Sequence, residues 1–194
     1  MAVTRIIETD RLILRAPEHR DEPAYVAFYG SERRAATGVL VPEDVARTRF
    51  ADVLDHWAEK GFGRFIVESR ESAEVLGMIG PHHPAEYPEA EIAWHLWSDN
   101  VEGKGIAFEA ALAARKFAYD VLGWTTAVSY IAHANLRSAA LAKRLGAVAE
   151  RDFVLFGEPC QIWRHPSAED TAKSAPSQYS CNTDVIQTAV GGSK

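Results

Sequence analysis

Apolar positions change period several times along the chain, and each change marks an element. "RLILR" (11–15) is a short β-rich run, and "APEHRDEPAYVAFYG" reads as a helix that Asp21 can cap and Gly30 can end. After Pro42, residues Phe50, Val53, Leu54 and Trp57 fall at i, i+3, i+4 and i+7, the stripe of an amphipathic helix that Gly61 closes. Residues 64–69 and 74–80, separated by a polar turn, read as an antiparallel hairpin. "PHHPAEYP" breaks the pattern with its prolines, and "AEIAWHLWS" (90–98) follows as a central strand. Ile106, Ala110, Ala113, Phe117 and Val121 then repeat at i, i+4, i+7, i+11 and i+15, so a helix over 105–122 buries one face and stops at Gly123. "WTTAVSYIA" (124–132) is a strand by its β-branched and aromatic content. "NLRSAALAKRLGA" is a short helix with Asn135 as cap and Gly146 as stop, and "VAERDFVLF" and "CQIWRH" supply a last strand pair. The order predicts an α+β fold, with helices packed on a mixed, mostly antiparallel sheet that contains at least one strand-helix-strand unit. Residues 1–165 read as one domain, and 166–194 as a polar tail without period, with the composition of a disordered segment.

Composition narrows the function. At 194 residues, 47% hydrophobic and 25% charged, the chain can bury a full core. Its formal net charge of -6 argues against a sequence-independent nucleic-acid binder, which needs clustered Lys and Arg. Two cysteines, Cys160 and Cys181, form neither a disulfide framework nor a metal spacing, and no apolar run has the length of a membrane span. The expectation is a cytoplasmic protein with no membrane partner. His82 and His83 are adjacent but lack further ligands at suitable spacing, so no metal is expected. Cys160 lies in a strand pattern without a visible base, which favours packing over nucleophilic chemistry.

One stretch calls for a ligand. "DNVEGKGIAFEAALAARKF" (99–117) sets two glycines around a lysine and runs directly into a helix. The first amides of a helix lack partners and carry the positive end of its dipole, so such a loop suits a phosphate. It is not a Walker loop, because Gly105 follows Lys104 and no glycine stands at the earlier position; nor is it a dinucleotide fingerprint, because Phe108 stands where the third glycine belongs.

Together, "WHLWS", "EGKGIA", the long helix, the next strand and "NLRSAALAKRLGA" closely resemble the GNAT superfamily of acyl-CoA-dependent N-acetyltransferases. Glu102-Gly103-Lys104-Gly105-Ile106-Ala107 matches that family's Gln/Arg-x-x-Gly-x-Gly/Ala loop. Asn135, Ser138, Leu141, Leu145 and Gly146 match its later Asn-x-x-Ser helix. The opening "ETDRLILRAPEHRDEPAYVAFY" resembles the branch that includes the ribosomal-protein N-terminal acetyltransferases. The resemblance spans roughly residues 8–165. It implies a central sheet with a splayed-strand cleft, helices on both faces, acetyl-CoA as co-substrate, an amine acceptor (a small molecule or a protein N-terminus), and sheets that frequently pair into homodimers.

The small residues at 103, 105 and 107 would let the backbone approach a pyrophosphate, with Lys104 adding a point charge and the amide of Ile106 donating. By the resemblance, main-chain atoms of Leu96, Trp97 and Ser98 would pair with the pantetheine arm as an added strand would. Asn135 would reach the pantetheine amide or cap its helix, and Ser138 would face the thioester sulfur and protonate the departing thiolate. Glu102 departs from the family pattern, and a carboxylate beside a pyrophosphate repels it by ~1 kcal/mol when screened. It is therefore expected to point into water. An attacking lysine-type amine, pKa ~10.4, costs roughly 4.6 kcal/mol to neutralise at pH 7, and an α-amine near ~7.8 only roughly 1. Glu91 is the preferred proton acceptor, with His95 on the same strand face, and Tyr130 and His133 on the following strand as reserves. A noncatalytic acyl-CoA sensor, or a transferase of a longer acyl group, fits the same loop.

Overall fold

The computed structural model describes residues 6–35 and 40–174. In chain order the elements are β1 (Ile6–Glu8), β2 (Leu12–Arg15), α1 (Glu22–Tyr29), α2 (Glu32–Ala35), α3 (Glu43–Lys60), β3 (Phe65–Ser69) and β4 (Val75–His82). They continue with β5 (Glu91–Leu96), α4 (Ile106–Asp120), β6 (Val128–Ala132), α5 (Leu136–Arg144), β7 (Val148–Leu155), β8 (Glu158–Arg164) and α6 (Ala168–Ser174). The strands form one sheet in the order β1-β2-β3-β4-β5-β6-β8-β7, antiparallel everywhere except between β5 and β6. This is the expected α+β architecture, with helices on both faces.

On one face α1 and α3 bury Tyr25, Phe28 and Phe50 against Ile66 and Met78. On the other, α4 lies against Phe65, Val67, Ile79 and Ile92. The α4 face that touches the sheet is largely alanine, and Ala110, Ala111, Ala114 and Ala118 are all fully buried, so the helix axis comes close to the strands. Phe117 fills what the alanines leave, meeting Phe65 edge-to-face at 5.3 Å between centroids. Val121, expected on this face, is past the end of α4 and 41% exposed.

The sequence pattern missed short elements. β1, α2 and α6 span three, four and seven residues, too few for a period to show. The chain past Pro166 is not all patternless tail: Ala168 donates its amide to the Thr125 carbonyl and the Tyr119 hydroxyl donates to that of Pro166. Residues 175–194, including Cys181, lie outside the described residues. β6 begins at Val128 rather than Trp124, whose ring packs on Phe62 instead. β4 continues through Pro81, beyond the expected break. Its pairing with β3 ends at Ile79 while its pairing with β5 runs on to His82, so the proline sits where one flank needs no donor.

Candidate active site

β5 and β6 share a single register pair, Glu91 with Val128, and diverge from there. A parallel pair that opens after one rung leaves main-chain groups of β5 facing a gap. The Trp97 amide bonds Leu76, on the β4 side. The Ile92 and Leu96 carbonyls face the other way, accepting from the Ser129 hydroxyl at 2.6 Å and from Arg33 Nε at 2.8 Å. Strand alternation therefore turns the main chain of Trp94 into the gap together with that of Leu96. Gly77 permits the close β4–β5 approach: a Cβ there would lie 2.3 Å from the His95 carbonyl oxygen.

A cleft of about 360 Å³ runs from this gap to the start of α4 and along α5. Its upper wall is the predicted phosphate loop. Gly103 and Gly105 have φ of +72° and +77°, left-handed values that a side chain strains, and nothing lies within 4 Å of a Cβ placed on Gly103. The first intrahelical bond is donated by Glu109 to the Gly105 carbonyl, so the amides of Ile106, Ala107 and Phe108 have no helical acceptor. Glu109 also fixes the loop from outside. Its carboxylate accepts from the Thr9 hydroxyl (2.6 Å), the Arg11 amide (3.0 Å) and Arg11 Nε (2.7 Å), and Arg11 Nη1 donates to the Lys104 carbonyl at 2.9 Å.

Several predicted residues meet here and others do not. Gly103, Gly105, Ile106, Ala107, Leu96, Asn135 and Ser138 all line the cleft. Asn135 caps α5, its Oδ1 accepting the Ser138 amide at 3.1 Å, and Ser138 Oγ accepts from Trp94 Nε1 at 3.1 Å, which leaves the hydroxyl proton available to the gap. Lys104 is exposed and absent from the lining. The cations that do line it are Arg33, Arg34, Arg137 and Arg144, which the sequence reading did not single out. Trp97 and Ser98 also lie outside the lining. The Trp97 ring turns to the α1 face, stacked near Phe28, and Ser98 Oγ accepts the Asn100 amide. Glu102 does not point into water: it accepts from Arg33 Nη1 at 2.9 Å and Arg137 Nε at 2.9 Å, so two guanidinium groups offset the charge that would repel a diphosphate. Free helix amides, open glycines and arginines are the donor set a pyrophosphate needs, and the residues present fit coenzyme A.

The α1 face of β5 carries the candidate proton-handling groups. Glu91 is 8% exposed, and burial pushes its carboxyl up to about 7, against an amide bond from Tyr130 (3.3 Å) and the field of Arg64. Burial next to Arg64 holds His95 well below its ordinary value, so it stays neutral. It lines the cleft, and its Nε2 is 3.2 Å from Arg64 Nη1 and its Nδ1 3.1 Å from Trp97 Nε1, both donor-only groups, so its one lone pair already faces a donor. The Tyr130 hydroxyl is buried, and that burial raises it to about 12 against the pull of the Glu89 main chain. His133 is half exposed, 3.6 Å from Asp152, and lines neither cleft. His82 packs between His56 and Tyr87 and burial depresses it to about 2, while Cys160 is buried with its thiol pushed up. Among the described residues no group of three or more potential ligands gathers as a metal ion needs, and no helix is long and apolar enough to cross a membrane.

Residues 11–148 match the Acetyltransferase (GNAT) domain. In structure the chain is similar to the acetyltransferase from Agrobacterium tumefaciens str. C58, at 33% identity and a TM-score of 0.76 over 83% of this chain and 94% of that one. It shares its fold with a ribosomal-protein-S5-alanine acetyltransferase from Vibrio fischeri (13% identity, TM-score 0.69, covering 85% and 97%). The same holds for a spermidine N-acetyltransferase from Vibrio cholerae solved with CoA and spermine (17% identity, TM-score 0.66, covering 84% and 99%). A domain match over most of the chain, a relative at one-third identity and a cleft fitted to a diphosphate agree: the chain belongs to the GNAT family of acetyltransferases, acyltransferases that take their acetyl group from acetyl-CoA.

Proposed function

We propose that this protein moves the acetyl group directly onto a primary amine in a ternary complex, with Glu91 as the proton acceptor. The observation that carries the reading is a buried carboxyl, poised to titrate about neutrality, on the last paired rung before β5 and β6 part. Acetyl-CoA, when bound, supplies the activated thioester. The amides of Ile106, Ala107 and Phe108, with Arg137 and Arg144, hold its phosphates. The main chain of Trp94 and Leu96 aligns the pantetheine arm and offers N–H groups to the oxygen that gains charge. Glu91 takes the proton of the incoming ammonium, directly or through one water. Ser138 Oγ, or the Tyr130 hydroxyl that keeps its proton to about 12, passes a proton to the leaving sulfur and takes up the second proton that the acylated nitrogen sheds as the intermediate collapses. Positioning of the two substrates accounts for much of the rate, and no acyl-enzyme is required.

The pH dependence of thiol release tests this. Ionised Glu91 is the active form and burial favours the neutral one, so kcat/KM with saturating coenzyme rises through about pH 7 and levels above it. Glu91→Gln loses that step and about 100-fold in kcat, with coenzyme affinity kept. An unchanged rate in the variant removes Glu91 from the reaction.

A further inference from the structure

A second cavity of about 1070 Å³ opens on the Glu91 face, between α1, α3 and the outer strands β6 and β8. Arg34 lines both cavities; Glu91 lines neither, and accepts the amide of Tyr130, which lines the second. Its rim is of mixed charge, with the exposed acids Asp52, Asp55, Glu59, Glu86 and Glu158 and the exposed cations Arg49 and Lys60. Its floor is different. Arg64 is held there by Trp57, whose Nε1 donates to the Arg64 carbonyl at 3.0 Å across Gly63, where a Cβ would lie 2.5 Å from that nitrogen.

The surroundings of Arg64 differ from those of Arg15, Arg33, Arg115 and Arg164. Arg15 is paired with Asp21 and Glu68, Arg33 with Asp99 and Glu102, and Arg164 with Glu89 and Glu150. Arg115, buried in the core, donates to the Leu145 carbonyl at 2.6 Å and opens on neither cavity. Arg64 has no carboxylate at ion-pair distance among the described residues, and its recorded side-chain partner is His95 Nε2. That contact is a poor one. A neutral imidazole has one accepting nitrogen, and the two nitrogens of His95 face two donor-only groups, Arg64 and Trp97. A guanidinium facing a cavity, beside a proton acceptor and on a mismatched partner, is a site waiting for an anion.

We propose that the acceptor is an amine with a carboxylate next to it, of the free α-amino acid class, whose carboxylate seats on Arg64 while its ammonium faces Glu91. The inference rests on the acetyl-transfer reading above and specifies its substrate. A carboxylate on Arg64 gives the guanidinium its missing partner and frees His95 Nε2 from a second donor. The same ion pair fixes the amine beside the gap. Polyamines and peptide N-termini lack the adjacent carboxylate and leave Arg64 unanswered.

The test is thiol release from acetyl-CoA with a panel of L-amino acids, the matching α-carboxamides, short peptides and spermidine, on the full chain and on Arg64→Met and Arg64→Lys. In the unaltered protein at least one amino acid is expected to exceed its own carboxamide by about 100-fold in kcat/KM, the usual scale for losing one partner of a sheltered charge pair. Arg64→Met is expected to erase that preference by raising KM for the acid, and Arg64→Lys to restore part of it. Carboxamides, peptides or spermidine matching or exceeding the acids in the unaltered protein overturn this inference and leave the transfer reading standing. Coenzyme binding without turnover of any amine overturns both. Because the acid-to-carboxamide ratio is read on the unaltered chain, poor folding of a variant does not blunt the result.

Discussion

The two faces of β5 are built from different material. The coenzyme face is assembled mostly from one stretch, from the end of β5 through the loop at 99–105 to α4, with α5 soon after and Arg33 and Arg34 added from α2. Its chemistry is main-chain amides, glycines at positive φ and arginines already engaged by Glu102. The proposed acceptor face draws on α1, α3, β4, β6 and β8, and its chemistry is side chains: Arg64 and Tyr130 in the cavity lining, and Glu91 buried against the Tyr130 amide. On the proposed reading, grip comes mostly from local geometry on one side, and selectivity from distant residues brought together on the other. Enzymes that share a coenzyme and differ in acceptor need that division, since the second pocket can change without disturbing the first.

Substitutions at the loop sharpen the contrast first. Gly105→Val forces a β-branched side chain into φ +77° at the helix start, and is expected to weaken coenzyme affinity about 100-fold by isothermal titration. Undiminished affinity would separate the loop from the diphosphate. A smaller effect of opposite sign is expected at Glu102. Glu102→Gln removes a negative charge from the cleft and releases Arg33 and Arg137 to the phosphates, which should tighten coenzyme binding about 5-fold, the equivalent of ~1 kcal/mol. Weaker binding in that variant would mean that the carboxylate's main service is to hold the two arginines in place.

The same contrast decides what could be read from the sequence. The loop, the α4 stripe and the Asn135 cap were legible because turn glycines, caps and a helical period act over a few residues. Glu91 could be picked by its place on a central strand, but not its raised titration, which comes from burial that only the assembled sheet provides. Arg64, Arg137 and Arg144 were passed over because an arginine in sequence carries no sign of what it faces. Lys104 was favoured for its neighbours, yet the turn sends it outward. His95 shares the strand face of Glu91 by period, but that period could not show its neighbours: Trp97, two residues on, and Arg64, from another strand's edge, each turn a donor toward one of its nitrogens.

The account stands most directly on the protonation of one group. Carbon-13 NMR of glutamate-labelled protein, with the Glu91 carboxyl assigned by its loss in Glu91→Gln, gives its titration midpoint. The account predicts a midpoint at about 7; a carboxyl that titrates at its ordinary value of 4.5 would contradict it.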